Sequence, residues 1–329
     1  MSEAEEERTG QVEGTGVATR AGFVALVGRP NAGKSTLLNA LVGEHLAAVS
    51  RKAQTTRHRI PGFLTEDSTQ FVFVDTPGLL DPAYPLQQSM LDTALSAMDG
   101  VDVVCWLVDH DEPSAREEEL LRELAARRGN GAEGDQLPLL LLLTKSDQVP
   151  AAKLDSRERT WTALGVWKGR YRLSAVTGAG LPELLAGLRE WLPEQPFFYD
   201  SEDLTDLNLR FLAGELVREA CYEELGAELP YSVHVEVTEW RDAGQEGDKT
   251  LIRATVYVER ESQKGIVIGA GGRKLSEIGR RARVSIEDLI RGPVFLELRV
   301  KVRPRWSRSA KDLQHFGYKG KSTRTQTRS

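Results

Sequence analysis

The sequence predicts an α/β fold, a doubly wound and mostly parallel sheet organised around a phosphate-binding loop, followed by a smaller α+β domain. Three observations carry this. Gly28-Arg29-Pro30-Asn31-Ala32-Gly33-Lys34-Ser35-Thr36 fits the pattern G-x-x-x-x-G-K-[ST], set between an apolar strand-like run and a helical period. Strand-like runs then alternate with helical patterns as far as residue 191. Beyond two prolines the alternation gives way to a helix, two strands, and a pair of helices joined by Gly269-Ala270-Gly271-Gly272.

Residues 1–20 are rich in Glu, Gly and Thr without any period, and are expected to be a disordered acidic tail. The first domain, 21–196, opens on the strand 23–27, which runs into the phosphate loop and a helix over 33–42 carrying Leu37, Leu38, Leu41 and Val42. Strand and helix then pair at 71–74 with 87–98, 101–108 with 115–126, 139–143 with 151–164, and 171–173 with 181–191. That order implies βαβ units with ligands at the carboxyl ends of the strands. Pro193 and Pro196 break the period, so 197–205 reads as a linker. The second domain, 206–305, begins with an amphipathic helix over 206–225, with Leu209, Leu212, Leu216, Val217 and Ala220 on one stripe. Strands at 232–237 and 251–258 follow, then the two helices around the glycine turn, then a closing strand at 294–302. Residues 306–329 form a basic tail.

The 329 residues include 40% hydrophobic ones, enough for two ordinary cores. The net charge of -6 hides an asymmetry, with Glu3, Glu5, Glu6 and Glu7 at one end and Arg303, Arg305, Arg308, Lys311, Lys319, Lys321, Arg324 and Arg328 at the other. A basic end can hold a polyanion while the whole chain is acidic. Cys105 and Cys221 have neither disulfide nor metal-ligand spacing, which points to a reducing compartment. The N-terminus lacks a signal-peptide pattern, and the apolar run 137–143 is too short to span a bilayer. A cytoplasmic protein is expected, and a peripheral contact between the basic end and anionic lipid at the inner face of the membrane is compatible with this composition.

The phosphate loop sets the chemistry. Its glycines let successive N–H groups turn onto a phosphate, and the following helix adds its positive end. Lys34 is expected to reach the β- and γ-phosphates, and Ser35 to give a hydroxyl to Mg²⁺. At the end of the strand 71–74, Asp75-Thr76-Pro77-Gly78 offers a carboxylate for the metal site and a glycine N–H for a γ-phosphate. Thr144-Lys145-Ser146-Asp147 follows the strand 139–143, and a carboxylate at Asp147 would accept from the ring N–H and exocyclic amine of guanine, donors that adenine does not place there. Ser174-Ala175 closes the fifth strand with a free N–H for the base carbonyl.

In motif, order and spacing these segments resemble the translation-factor-like GTPases over residues 22–191. That family usually has Asn where this chain has Thr144, whose hydroxyl can take over a contact. Gln54-Thr55-Thr56-Arg57 looks like the family's switch segment, with Thr56 the expected Mg²⁺ ligand and Thr55 its rival. The resemblance thus implies GTP and GDP as ligands, Mg²⁺ on Ser35, Thr56 and Asp75, and hydrolysis through Lys34, Thr56 and Gly78. Many relatives carry a water-orienting Gln after D-x-x-G, but this chain has Leu79 there, so unassisted turnover near the intrinsic range of about 10⁻⁴ to 10⁻² s⁻¹ is expected. Related proteins with G-x-P-N-x-G-K-S use the Asn to hold K⁺, which makes Asn31 a candidate for the same.

The glycine turn at 269–272 joins helix to helix, and Arg273 and Lys274 follow it. Bare main chain there lets an RNA backbone approach. With the order α-β-β-α-α-β it is similar to a type II KH domain. A single GTPase domain followed by one KH domain resembles the Era GTPases across residues 23–318, including the strings Gln54-Thr55-Thr56-Arg57-His58-Arg59 and Pro196-Phe197-Phe198-Tyr199. The resemblance implies binding of small-subunit ribosomal RNA near its 3′ end through residues 269–274, and assistance to 30S assembly by a monomer with no DNA partner. Residues 79–86 are expected to couple the nucleotide to the second domain. Beyond residue 303, Trp306, His315, Phe316 and Tyr318 either stack on RNA or pack as a final helix with a loose end. Two rival readings remain at this level: a P-loop ATPase acting on RNA, and an RNA-binding protein with a vestigial nucleotide site.

Overall fold

The computed structural model describes residues 18–127, 136–226, 229–245 and 247–318. Of the two tails, 1–17 and 319–329 lie outside the described residues. The first domain is a six-stranded sheet of order β2-β3-β1-β4-β5-β6, formed by β1 (Arg20–Gly28), β2 (Ile60–Glu66), β3 (Thr69–Asp75), β4 (Val103–Val108), β5 (Leu139–Leu143) and β6 (Gly169–Arg172). All neighbours pair in parallel except β2 with β3.

Helices cover both faces, which is why β4 and β5 read as unbroken apolar runs and are buried along their whole length. Alternate strand residues point opposite ways. Leu26, Cys105, Leu107, Leu140 and Leu142 meet α1 (Lys34–Val42) and α5 (Leu181–Trp191), whereas Val27, Trp106, Val108, Leu141 and Leu143 meet α3 (Ala115–Ala125) and α4 (Ala151–Thr162). Between β3 and β4 lies α2 (Pro85–Ser96). The strand β2 is absent from the pattern expected from sequence. It begins Ile60-Pro61-Gly62, and a proline is tolerated because β2 is an edge strand with one unpaired side.

The linker is not slack. The N–H of Phe63 in β2 donates to Leu204 O at 2.8 Å, the Thr205 hydroxyl to Pro61 O at 2.7 Å, and the Tyr199 ring stacks on Phe63 at 3.8 Å. Buried Gln70 completes the strap, accepting from the Phe198 and Tyr199 N–H groups and donating to Tyr199 O.

The second domain runs α6 (Leu209–Glu224), β7 (His234–Arg241), β8 (Thr250–Val258), α7 (Glu261–Ile268), α8 (Arg273–Ile290) and β9 (Val294–Val302). Its sheet is β7-β8-β9, antiparallel then parallel, and Val217, Cys221, Ile252, Val256, Ile278, Ala282 and Ile286 build its core. The boundary expected at 305 moves. Trp306 is fully buried, and α9 (Ala310–His315) leads to buried Phe316 and Tyr318, so the chain to 318 is packed structure and not a free tail. The apolar groups Trp306, Leu313, Phe316 and Tyr318 drive this by closing over Leu86 and Met90 of α2. No described helix is long and apolar enough to cross a membrane.

Candidate functional site

The phosphate loop leaves β1 at Gly28 and enters α1 at Gly33, whose φ of 95° lies in the left-handed region that glycine occupies without strain. Lys34 is buried and donates to Gly28 O at 3.1 Å and Arg29 O at 2.9 Å, and burial pulls its ammonium down to a pKa of about 8. Gly78 seats the D-x-x-G turn on this loop, since a Cβ there would stand 2.5 Å from Pro30 N.

Three oxygens converge at the start of α1. Ser35 Oγ lies 2.6 Å from Asp75 Oδ2 and 2.7 Å from Thr56 Oγ1, and the Thr56 hydroxyl donates to Asp75 Oδ2 at 3.2 Å. The other carboxylate oxygen, Asp75 Oδ1, is buried without a hydrogen-bond partner. Burial outweighs the help of Lys34, Ser35 and Thr56 and raises this carboxyl to a pKa of about 6. Two hydroxyls and an under-satisfied carboxylate are a hard-oxygen donor set of the kind Mg²⁺ takes alongside phosphate oxygens. Thr55 is not part of it, because its hydroxyl donates to Lys52 O at 2.8 Å. The pocket over these groups has a volume of about 550 Å³ and reaches from Pro30 and Thr36 to Lys145, with Glu223 of the second domain on its wall.

Thr144 is buried, and its hydroxyl contacts Ala32 O at 2.8 Å and Val108 O at 3.2 Å, so it ties the base-side loop to the phosphate loop. Lys145 pairs with Asp109 at 2.7 Å. Asp147 is exposed, next to Gln148 of the pocket wall, with a hydrogen bond from the Ser174 side chain holding its carboxyl below the usual range. Ser146 N donates to Leu173 O, joining that loop to the segment carrying Ser174 and Ala175. Thr76 turns its hydroxyl to Leu26 O and braces β1. Leu79 keeps its N–H on Gly28 O at 3.0 Å while its side chain packs against the core cluster that holds Val27 and Trp106, and lines with Leu95 and Leu120 a cleft of about 430 Å³ between α2 and α3. It thus faces apolar surface. Asn31, at φ 65°, donates its amide N–H to Arg51 O at 3.2 Å.

Sequence reasoning missed the clamp on Arg29. Glu117 accepts from Arg29 Nε at 3.1 Å and from Ser114 as a capping box, and His110 lies 3.4 Å away. Burial would raise the Glu117 carboxyl, but hydrogen bonds from His110, Ser114 and Arg29 win and bring it to about 2. The S-x-x-E string at 114–117 shows the cap, whereas the reach to Arg29 spans 88 positions.

Residues 79–86 meet the second domain as expected, through Leu80, Tyr84 and Leu86 against Trp306 and Phe316. The segment 44–58 meets it too. Arg57, 1% exposed, donates to Val233 O at 2.7 Å, Tyr222 OH at 2.8 Å, Tyr231 O at 3.0 Å and Pro230 O at 3.2 Å. Its guanidinium lies 5.8 Å from the rings of both Tyr222 and Trp306. Val49 N donates to Glu219, Lys52 to Tyr222 O and Leu225 O, and the His58 ring stacks on Tyr318 at 4.6 Å. The residue after Thr56 is therefore buried in the second domain.

On that domain, Gly269, Gly271 and Gly272 have φ values of 71°, 59° and 80°, which hold the turn between α7 and α8 open. Ala270 and Arg273 are exposed, as is Ile266 at 58%, while Lys274 pairs with Glu224 at 3.4 Å. Bare backbone beside an apolar side chain and the exposed Arg273 guanidinium can take a sugar-phosphate chain with bases lying on α7.

Residues 23–145 match the family described as 50S ribosome-binding GTPase, and residues 228–307 match the KH domain family. The GTPase Era of Geobacter metallireducens is 39% identical over 306 residues, covering 91% of this chain and 98% of that relative, and the GTPase Era of Geotalea uraniireducens is 40% identical over 299. A single-residue variant of Aquifex aeolicus Era, solved bound to GDP and AlF4⁻, superposes with a TM-score of 0.83 at 34% identity, covering 91% of this chain and 99% of that one. Era solved with MgGDPNP and nucleotides 1506–1542 of 16S ribosomal RNA gives the same score and coverage. With both domains matched in order and the likeness running nearly end to end, the chain belongs to the Era family of GTPases.

Proposed function

We propose that this protein binds GTP and GDP with Mg²⁺, hydrolyses GTP slowly, and holds small-subunit ribosomal RNA near its 3′ end through its KH domain while assisting 30S assembly. The observation that carries the reading is the convergence of Ser35, Thr56 and Asp75 beside buried Lys34. Backbone N–H groups of residues 28–36 would cradle the phosphates, with Lys34 and the Gly78 N–H toward the γ-phosphate. Bound Mg²⁺ would screen the charge on the phosphate oxygens from its seat on Ser35, Thr56 and Asp75. Asp147 and the Ser174–Ala175 segment would select guanine. Leu79 packs against the apolar core and has no group of its own to orient water, in keeping with slow turnover.

The Asn31 amide nitrogen is committed to Arg51 O, which leaves its side-chain oxygen as an acceptor for K⁺. Work on a ribosomal partner is in keeping with a cytoplasmic protein. The relative solved with MgGDPNP and 16S RNA supports the pairing of nucleotide and RNA in one chain. Crosslinking the protein to cellular RNA with GDP or a non-hydrolysable GTP analogue, and sequencing the product, tests the reading. Small-subunit RNA should dominate with the analogue. Displacement of bound GDP by ATP as readily as by GTP, or hydrolysis unchanged in Lys34→Ala, would refute it.

A further inference from the structure

The strands β8 and β9 run parallel and end side by side, Val258 opposite Val302, so the segments leaving them emerge together. Between them lies a pocket of about 520 Å³ lined by Glu259, Arg260, Pro304, Arg305 and Arg308. Its one carboxylate is engaged, because Glu259 Oε1 accepts from the Ser307 hydroxyl at 2.6 Å and from its N–H at 3.3 Å. The three arginines have no carboxylate partner among the described residues.

That is unusual on this domain. Arg218, Arg241, Arg253, Arg280, Arg281, Arg283, Arg291, Arg299 and Arg303 all pair with Asp or Glu. Arg210 and Arg273, also without a carboxylate, donate to backbone carbonyls, Trp240 O at 3.5 Å and Ala270 O at 3.3 Å. Among the described residues, the arginines of this domain that lack a carboxylate partner therefore gather mainly at this pocket, with Arg273 at the turn.

The pocket's floor is fixed while its arms are free. Trp306 is fully buried and donates to Ser232 O at 2.9 Å, Ser307 is buried on Glu259, and Arg305 holds a φ of 55°. Arg305 and Arg308 thus project from anchored backbone, which lowers the ordering cost of binding. Planar guanidinium groups suit phosphate oxygens.

We propose that Arg260, Arg305 and Arg308 form a second phosphate site, which takes the backbone of an RNA segment beyond the nucleotides laid on the 269–272 turn. This rests on the RNA-binding reading above. Arg260 precedes the first residue of α7 and Gly269 follows its last, so nine rises of 1.5 Å separate the two sites by about 13.5 Å. A strand rising about 3.4 Å per nucleotide covers that in about four. The same turn at 306–308 leans on α2 and on Arg57, so an RNA seated there presses on the nucleotide-binding side of the molecule.

The test compares two RNAs, nucleotides 1506–1542 of 16S ribosomal RNA and an oligonucleotide of about four nucleotides from its 3′ end, enough for the turn alone. Affinities of the full chain are measured against KCl for wild type, Arg305→Gln/Arg308→Gln and Arg260→Gln. Lys249→Gln, an exposed cation at the far end of β8, controls for bulk charge. The double variant should bind the long RNA about tenfold or more weakly, with a log–log salt slope shallower by about 1.4, or about 0.7 per lost contact, and should bind the short RNA like wild type. Unchanged affinity and slope on the long RNA, equal losses on both RNAs, or the same loss in Lys249→Gln would overturn the site. Loss of binding to phosphatidylserine vesicles with the RNA slope intact would reassign the pocket to a membrane and equally overturn it. If wild type holds neither RNA, the RNA reading itself falls and takes this site with it.

Discussion

Replacing Arg57 with Ala tests whether the segment beside Thr56 is held by the second domain. The guanidinium reaches four acceptors, three of them from Nη2 with its two protons, so about three full bonds at about 1.5–3 kcal/mol each for a charged donor give a gross sum of about 4.5–9 kcal/mol. Three corrections shrink it. Tyr222 OH keeps its own bond to Gln54 O at 3.0 Å, water can enter the vacated space, and removing a buried cation that forms no ion pair among the described residues returns several kcal/mol of desolvation. A net destabilisation of about 3 kcal/mol is expected. Denaturant unfolding should show it, with the exposed Arg59→Ala within about 0.5 kcal/mol of wild type as control. In the same variant, the difference in RNA affinity between GDP and a GTP analogue should collapse. An Arg57→Ala protein as stable as Arg59→Ala, with that difference intact, would refute the reasoning.

Thr144→Val should weaken GDP binding by up to about 5- to 150-fold, because it strips Ala32 O of a buried partner worth about 1–3 kcal/mol, whereas Thr144→Asn should restore most of it. Calorimetric titration decides, and a Val variant that binds like wild type would remove Thr144 from the site. GTP turnover should be faster in potassium than in sodium at equal ionic strength, and Asn31→Ala should abolish the difference. Equal rates in the two salts would eliminate the cation. Burial, then Arg218 and Arg57, push the His58 pKa down from 6.5 to about 4. A depressed histidine contributes stability that is fully present above its unfolded value and lost as pH falls through its folded one. The stability difference between wild type and His58→Phe should therefore change by up to about 1.4 kcal/mol per pH unit between 6.5 and 4, wild type losing more as the pH falls. Parallel pH profiles in the two proteins would contradict that assignment.

The nucleotide side was legible because each of its parts is a short string at a strand end. Gly28 to Thr36, Asp75 to Gly78, and Thr144 to Asp147 need only local spacing to be read, and the fold brings them together at the carboxyl edge of the sheet. The glycine turn at 269–272 is local in the same way. What stayed hidden depends on distant partners. Arg57 meets residues 165 to 176 positions away, and no period marks it. The strand β2 was masked by Pro61 and Gly62, which oppose a strand interior and fit an edge. Trp306, Phe316 and Tyr318 lack helical spacing because they fill a gap against α2 and not a stripe on one helix.

The strap of residues 197–205 has a consequence for anyone cutting this protein into pieces. By donating and accepting along Ile60–Glu66 it occupies an outer rim whose peptide groups would otherwise invite another chain. A fragment ended at 196 would keep every string proposed to contact the nucleotide yet carry a bare, sticky margin, whereas one extended past Thr205 would carry its own cover. Self-association that appears in the shorter piece and vanishes in the longer one would then report on the cut, not on how the intact protein assembles.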